Sequence, residues 1–315
     1  AAPGGLGAEI MVAFVMVIVV LPLLAALYSP QLRSEFFAMI ATPLAYIKIA
    51  ATVISMAGLV VAAYSVLRIL EIMKEETKKL GLRALIENAG IKDKRFSSTT
   101  VTFILGPRIN ASGRIDTAET SFNLLMSETQ EEATELVRIV EAHNRQRQKI
   151  ENKILEEAED LINREVNFKK HKIIVIAKEN WHHGVLGIVA SKLANRFYRP
   201  AIVISKDSGL CKGSGRSIKN FHLFQALLEC REFLNTFGGH SHAAGLVIAK
   251  ENIEDFKHSI NRLACERLSL EDLIPSLDID MELGLSDLNE EAVSGLEILE
   301  PIGTGNPEAL FYTRG

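Results

Sequence analysis

Gly213-Ser214-Gly215-Arg216-Ser217 and, within the same 211–245 stretch, Gly238-Gly239-His240-Ser241-His242-Ala243-Ala244-Gly245 have the composition of two phosphate-handling loops. In the first, glycines on either side of Ser214 free the backbone to approach an anion. The hydroxyls of Ser214 and Ser217, the fork of Arg216 and successive N–H groups, that of Gly215 included, supply donors. In the second, Gly238 and Gly239 remove side-chain bulk just before the His240 imidazole, and the small residues that follow let the next element pack closely behind it. Either loop alone could be a plain turn between a strand and a helix, because short glycine motifs match by chance. A histidine set among turn and packing residues has no evident core role, and the two loops support each other.

Outward from this stretch, Ile173-Ile174-Val175-Ile176-Ala177 reads as a buried parallel strand and residues 185–197 as the helix that follows. Residues 200–205 and 210–215 read as strands, 221–228 as a helix, 244–249 as a strand and 253–268 as a closing helix. The alternation places the region in the α/β class, with a mixed, partly parallel sheet and flanking helices. Loops at the strand ends then gather Arg216, Ser217, His240 and the Trp181-His182-His183-Gly184 turn on one rim, where such sheets bind ligands. Gly184 permits close approach at a helix N-terminus, whose free N–H groups and dipole favour an anion. Trp181 either stacks on a base, a contact worth roughly 1–3 kcal/mol, or fills a gap in the core.

Upstream, residues 73–89 are amphipathic, with Leu80, Leu82, Leu85 and Ile86 opposite lysines and Gly90 placed to end a helix. Gly106-Pro107-Arg108-Ile109-Asn110-Ala111-Ser112-Gly113-Arg114 then offers two guanidiniums, Arg108 and Arg114, with Asn110 and Ser112 as small polar groups. An arginine here could instead pair with Asp116 or Glu119, and Arg114 is the better placed to do so. Ser127-Glu128-Thr129-Gln130 looks like a capping box opening a long connecting helix over 128–165. Its apolar stripe through Ala133, Leu136, Val140, Ile150, Ile154, Ala158 and Leu161 is interrupted by His143-Asn144-Arg145-Gln146-Arg147, with Arg145 and Arg147 expected in solvent.

The chain has 315 residues and a formal net charge of −4, so no global basic field announces a nucleic acid and any such contact must be local. Three cysteines without metal-ligand spacing suggest reduced thiols in a cytoplasmic setting. Residues 10–31 and 49–67 lack Asp, Glu, Lys and Arg, and each is long enough to span a bilayer. Two spans would tether the chain with both termini in the cytoplasm; the alternative is a buried helix and strand of a soluble α/β domain. Before Gly106 neither an Asp-His-His triplet nor an Asp-x-Asp pair with further ligands occurs, so the first hundred residues cannot supply a two-metal centre. Asp278-Ile279-Asp280 reads as part of an edge strand.

The ordered motifs at 106–114, Trp181-His182-His183-Gly184-Val185-Leu186-Gly187-Ile188-Val189-Ala190, 213–217 and 238–245 resemble RecJ, the single-strand-specific 5′ exonuclease family of the DHH phosphoesterase superfamily. The resemblance runs from about residue 80 to 315, and Glu300-Pro301-Ile302-Gly303-Thr304-Gly305-Asn306-Pro307 is similar to the family's lead-in to an OB-fold. It implies a helical connector at 73–166 beside a cleft, a DHH-associated nucleic-acid-binding domain at 167–270, and the start of an OB-like domain at 271–315. Residues 1–72 are left as an apolar, mainly helical segment, either two spans or a degenerate remnant. Near Ala51-Thr52-Val53-Ile54, Gly58 would then stand where the family has a metal-binding aspartate.

The resemblance implies single-stranded DNA as partner, DNA-repair proteins beside it, and Mn2+ or Mg2+ on a catalytic lobe not visible here. No catalytic or metal-ligating residue is assigned in this chain. The alternatives are a membrane-tethered phosphodiesterase acting on cyclic dinucleotides, a non-catalytic binding protein, and a chimeric reading frame. The expected phosphate-holding set is Arg108, Asn110, Ser112, Arg114, Trp181, His182, Gly184, Ser214, Gly215, Arg216, Ser217, Gly238, Gly239 and His240.

Overall fold

The computed structural model describes residues 63–94, 96–206, 209–303 and 306–314. The chain divides into two compact units, Ala1–Arg68 and Ile69–Gly315. Of the first unit, residues 63–68 are described and are helical. The candidate span at 10–31, most of that at 49–67, and Gly58 lie outside the described residues. Among those described, no helix is long and apolar enough to cross a membrane.

The second unit opens with a π-helical turn, Ile72–Glu76, followed after an extended break by α1, Leu80–Asn88. The single helix expected over 73–89 is therefore interrupted where Lys79 takes an extended conformation, while Gly90, at φ +66°, ends it as anticipated. A short capped turn at Ser98–Thr100 and a π-helical turn, Val101–Leu105, run directly into α2, Gly106–Ile115. Pro107 sits in the first turn of α2, directly after the π-helical turn. Then come α3, Glu119–Met126, and the 36-residue α4, Gln130–Glu165. The α4 cap is Thr129, whose hydroxyl accepts from Glu132 N at 3.2 Å; Ser127, expected to cap, bonds instead to the Leu124 carbonyl.

One stripe of α4 is buried along its whole length: Ala133, Val137, Val140, Asn144, Arg147, Glu151, Ile154, Ala158 and Ile162. The three- and four-residue spacing keeps these positions on one face of the helix. Its first third packs with Leu85, Leu105 and Leu124 in a helical core, and its last third with Ile174, Ile176 and Val185 in the core of the α/β part. The polar middle lies between the two cores. Arg147, expected in solvent, is 9% exposed and pairs with Glu151, because its position falls on the buried stripe.

The α/β part runs β1 (Ile174–Glu179), α5 (His183–Phe197), β2 (Ala201–Lys206), β3 (Leu210–Arg216), α6 (Leu223–Glu229), β4 (Leu234–Gly239), β5 (Ala243–Ala249) and α7 (Ile253–Arg267). The sheet order is β1-β2-β3-β5-β4. β1 and β2 are parallel and the remaining pairs antiparallel, so the mixed sheet is mostly antiparallel. Alternation along β2 sends Val203 to the α4–α5 side and Ile202 and Ile204 to the α6–α7 side, giving each face its own core. β4 was not anticipated: its Asn235 and Thr236 are exposed on an edge strand, so no apolar alternation announces it. After α7 the edge strand expected to include Asp278-Ile279-Asp280 is reduced to the adjoining β6 (Met281–Glu282), paired in parallel with β7 (Phe311–Tyr312); α8 (Glu290–Gly295) lies between them in sequence.

Candidate nucleic-acid interface

Gly213-Ser214-Gly215-Arg216 is the second half of β3, inside the sheet, and this corrects its reading as a loop. Strand alternation then divides the motif between faces. A Cβ on Gly213 would lie 2.9 Å from Leu246 Cδ1, and one on Gly215 2.8 Å from Leu223 Cδ2. These glycines make room for core side chains, and no anion approaches them on that side. Lys212, Ser214 and Arg216 share the other face, beside α5.

There α5 is bare where it crosses β3: a Cβ on Gly187 would meet Ser214 Oγ at 3.0 Å and Arg216 Nη2 at 3.1 Å. One turn earlier, a Cβ on Gly184 would meet the Arg114 carbonyl oxygen at 2.1 Å, while Arg114 Nη1 donates to the Gly184 carbonyl at 2.9 Å. What approaches Gly184 is thus the C-terminal turn of α2, and the expectation of an anion at that glycine is corrected. The His182 imidazole caps α5, its Nδ1 accepting from Gly184 N at 3.1 Å.

Three elements thus meet: Arg114 from α2, Gly184 and Gly187 from α5, and Ser214 with Arg216 from β3. Arg216 donates to the Gly215 carbonyl at 2.8 Å, and neither arginine has a carboxylate partner among the described residues. Burial, with the nearby Arg114 charge as a smaller contribution, holds the Arg216 guanidinium below its ordinary value. Two like charges facing each other at a half-buried site are costly unless an anion joins them.

The second motif is a β-hairpin. Gly238 and Gly239 end β4, and at φ +148° a Cβ on Gly239 would lie 2.2 Å from the Ala243 carbonyl oxygen, so that position requires glycine. His240 is exposed; its backbone N donates to Ala243 O at 2.8 Å, and its Nδ1 accepts from His242 N at 3.3 Å. The hairpin is tied to the end of β3, since Ser217 N donates to His242 O at 2.9 Å and Arg216 pairs with Ala243. His240 and Arg216 therefore lie at one end of the sheet. Beside them, Ser214, Gly245 and Gly238 line up across β3, β5 and β4. They floor a cleft of ≈ 490 Å³ that His183, Lys212 and Thr236 also line. Sequence reading missed these three and Gly187; the two-residue period of Lys212-Ser214-Arg216 and the Gly184–Gly187 spacing on one helix face were the available signals.

Other expected contacts lie elsewhere. The Ser217 hydroxyl donates to the Phe221 carbonyl at 2.6 Å. Arg108 pairs with Glu141 at 2.9 Å and donates to Ile104 O at 2.8 Å, so its charge is already matched; Arg114, expected to be the paired one, is not. Ser112 is fully buried, accepting from Ser121 Oγ at 2.9 Å, and is closed to a ligand. Asn110 is exposed on α2, apart from these pairings. Trp181 is 3% exposed in the α/β core, its indole N–H donating to Glu157 at 2.8 Å, and is not available to stack on a base. Among the described residues no group of three or more His, Cys, Asp or Glu is arranged to hold a metal ion.

The Trp181 bond is the main influence drawing the Glu157 carboxyl below its ordinary value. A depressed carboxylate contributes stability that is present above the unfolded value and lost as pH falls through the folded one. Trp181→Phe should therefore lose less stability than the parent between about pH 5 and pH 3, with oligonucleotide affinity unchanged. Equilibrium unfolding across that range checks the first expectation and anisotropy the second.

Residues 170–266 match the family model of the DHHA1 domain. Relatives named single-stranded-DNA-specific exonuclease RecJ, from Bacillus subtilis and Haemophilus influenzae, are 42% and 34% identical to this chain over 234 and 240 residues. Each alignment covers 74% of this chain, but only 30% and 42% of the relative. RecJ from Thermus thermophilus, solved in complex with Mg2+ and with Mn2+, matches 75% and 76% of the chain at TM-scores of 0.67 and 0.68 and 30% identity. This chain is a RecJ-like member of the DHH superfamily. It spans about a third of the solved structures, 36% and 34% of their length. The family-model match covers the α/β part, while Arg114, beside Arg216, comes from the helical part that precedes it.

Proposed function

We propose that this chain holds single-stranded DNA for a RecJ-type exonuclease, gripping a phosphate between Arg114 and Arg216 with the Ser214 hydroxyl as a further donor. The observation that carries the reading is two neighbouring guanidiniums, neither matched by a carboxylate among the described residues, beside a helix bare of a side chain at Gly187. Guanidinium forks suit phosphate oxygens in charge and geometry. The sugar-phosphate chain then continues over the Gly238–Gly245 floor past His240, where glycines leave the sheet backbone open. Bond cleavage belongs to a Mn2+ or Mg2+ centre outside the described residues. The role in the cell is processing of single strands during DNA repair and recombination in the cytoplasm, where all three cysteines stay free thiols, as they are here.

Fluorescence anisotropy of labelled oligothymidylate with the full chain tests this. Binding should weaken with salt, with a log–log slope of about −0.7 for each phosphate neutralised. Inorganic phosphate should compete, and EDTA should change nothing because no metal takes part in the grip. Salt-independent affinity, or affinity abolished by EDTA, overturns the reading.

A further inference from the structure

The proposed phosphate site is composite: Arg114 belongs to the helical part, and Ser214 and Arg216 to the sheet. Their separation depends on what fixes α2 and α5 relative to each other: the direct Arg114–Gly184 contact and the ties that each helix makes to α4. Both are fastened to one polar stretch of α4. From α2, Arg108 pairs with Glu141 at 2.9 Å, and Ser112 Oγ lies 3.3 Å from His143 Nδ1. From α5, Lys192 pairs with Glu151 at 2.6 Å. Glu151 is 3% exposed and also takes Arg147 at 2.5 Å, while Arg147 donates to Asn144 Oδ1 at 2.8 Å. Arg147 Nε is buried without a hydrogen-bond partner. Apolar residues at 144, 147 and 151 would continue the buried stripe of α4 and merge the two cores. The polar network that stands there instead is directional, and it specifies one geometry where an apolar seam would tolerate sliding.

We infer that the Glu151–Lys192 tie is a positioning device for nucleic-acid binding: it helps set the placement of α5 on α4, and with it the placement of Arg216 and Ser214, packed against α5 at Gly187, relative to Arg114. Neither Glu151 nor Lys192 touches the bound phosphate. The inference rests on the proposed phosphate site and concerns its geometry alone.

Lys192→Met tests it, because Lys192 is half exposed and methionine keeps most of its apolar stem. Oligothymidylate affinity of the full chain should fall about five- to tenfold, with Lys192→Arg restoring most of it. In an Arg114→Ala background the same substitution should have little further effect, since the partner to be positioned is gone. Circular dichroism and thermal unfolding of each variant verify folding. An unchanged affinity for Lys192→Met, or an equal loss with and without Arg114, overturns the inference. If Arg114→Ala itself leaves binding intact, the phosphate site fails and the positioning inference falls with it. If Arg114→Ala weakens binding but Lys192→Met does not, the positioning role alone is wrong.

Discussion

Arg216→Ala should weaken oligothymidylate binding by one to two orders of magnitude while leaving thermal stability unchanged or slightly raised. Hydrogen bonds to a charged partner contribute about 1.5–3 kcal/mol each, which sets the loss. The magnitude of the salt slope should fall by about one phosphate's share, because one counter-charge is removed. The stability expectation follows from the same geometry. Arg216 is half-buried, pushed below its ordinary value by burial and by Arg114, and bonded among the described residues only to the Gly215 carbonyl. Deleting it relieves repulsion in the free protein. Arg108→Ala should do the reverse: it leaves Glu141 with only the longer, 3.7 Å pairing to exposed Arg145 among the described residues and lowers stability, with little change in salt slope. Unchanged affinity for Arg216→Ala removes this residue from the interface.

The contrast between these arginines shows where sequence reading stops. Position along the motif made Arg108 and Arg114 equivalent, and Asp116 and Glu119 made Arg114 the better candidate for pairing. The structure pairs Arg108 instead, with Glu141, a residue 33 positions away. Elements with a strong period were legible, which is why β1, β2, α5 and α7 fell within a residue or two of expectation. The glycine motifs were legible as special but not in their roles. A glycine accommodating Leu246 and one accommodating a ligand look alike until the facing element is known. β4 and the buried polar middle of α4 were missed for a related reason: an edge strand needs little apolar character, and a buried ion pair has the composition of an exposed face.

Gly184→Ala should be the most damaging single substitution near the proposed phosphate site. Its Cβ would stand 2.1 Å from the Arg114 carbonyl oxygen and 2.9 Å from the carbonyl carbon, backbone atoms that no rotamer change can move. α2 must recede from α5, a forced overpacking that costs about 3 kcal/mol, or roughly 6–12 °C in Tm for a unit of this size. Helix propensity alone would favour alanine by up to about 1 kcal/mol, so a measured loss is net of that gain. Binding should fall as well, because Arg114 is carried away with α2. Gly187→Ala separates the two effects. There the nearest atoms are the ends of the Ser214 and Arg216 side chains, which can swing aside, so stability should hold while the two donors are displaced and affinity drops. Thermal unfolding and oligothymidylate titration of both variants decide the matter. If Gly184→Ala kept its Tm and lost only binding, that glycine would be serving an anion at the helix N-terminus, and the packing role assigned to it would be wrong.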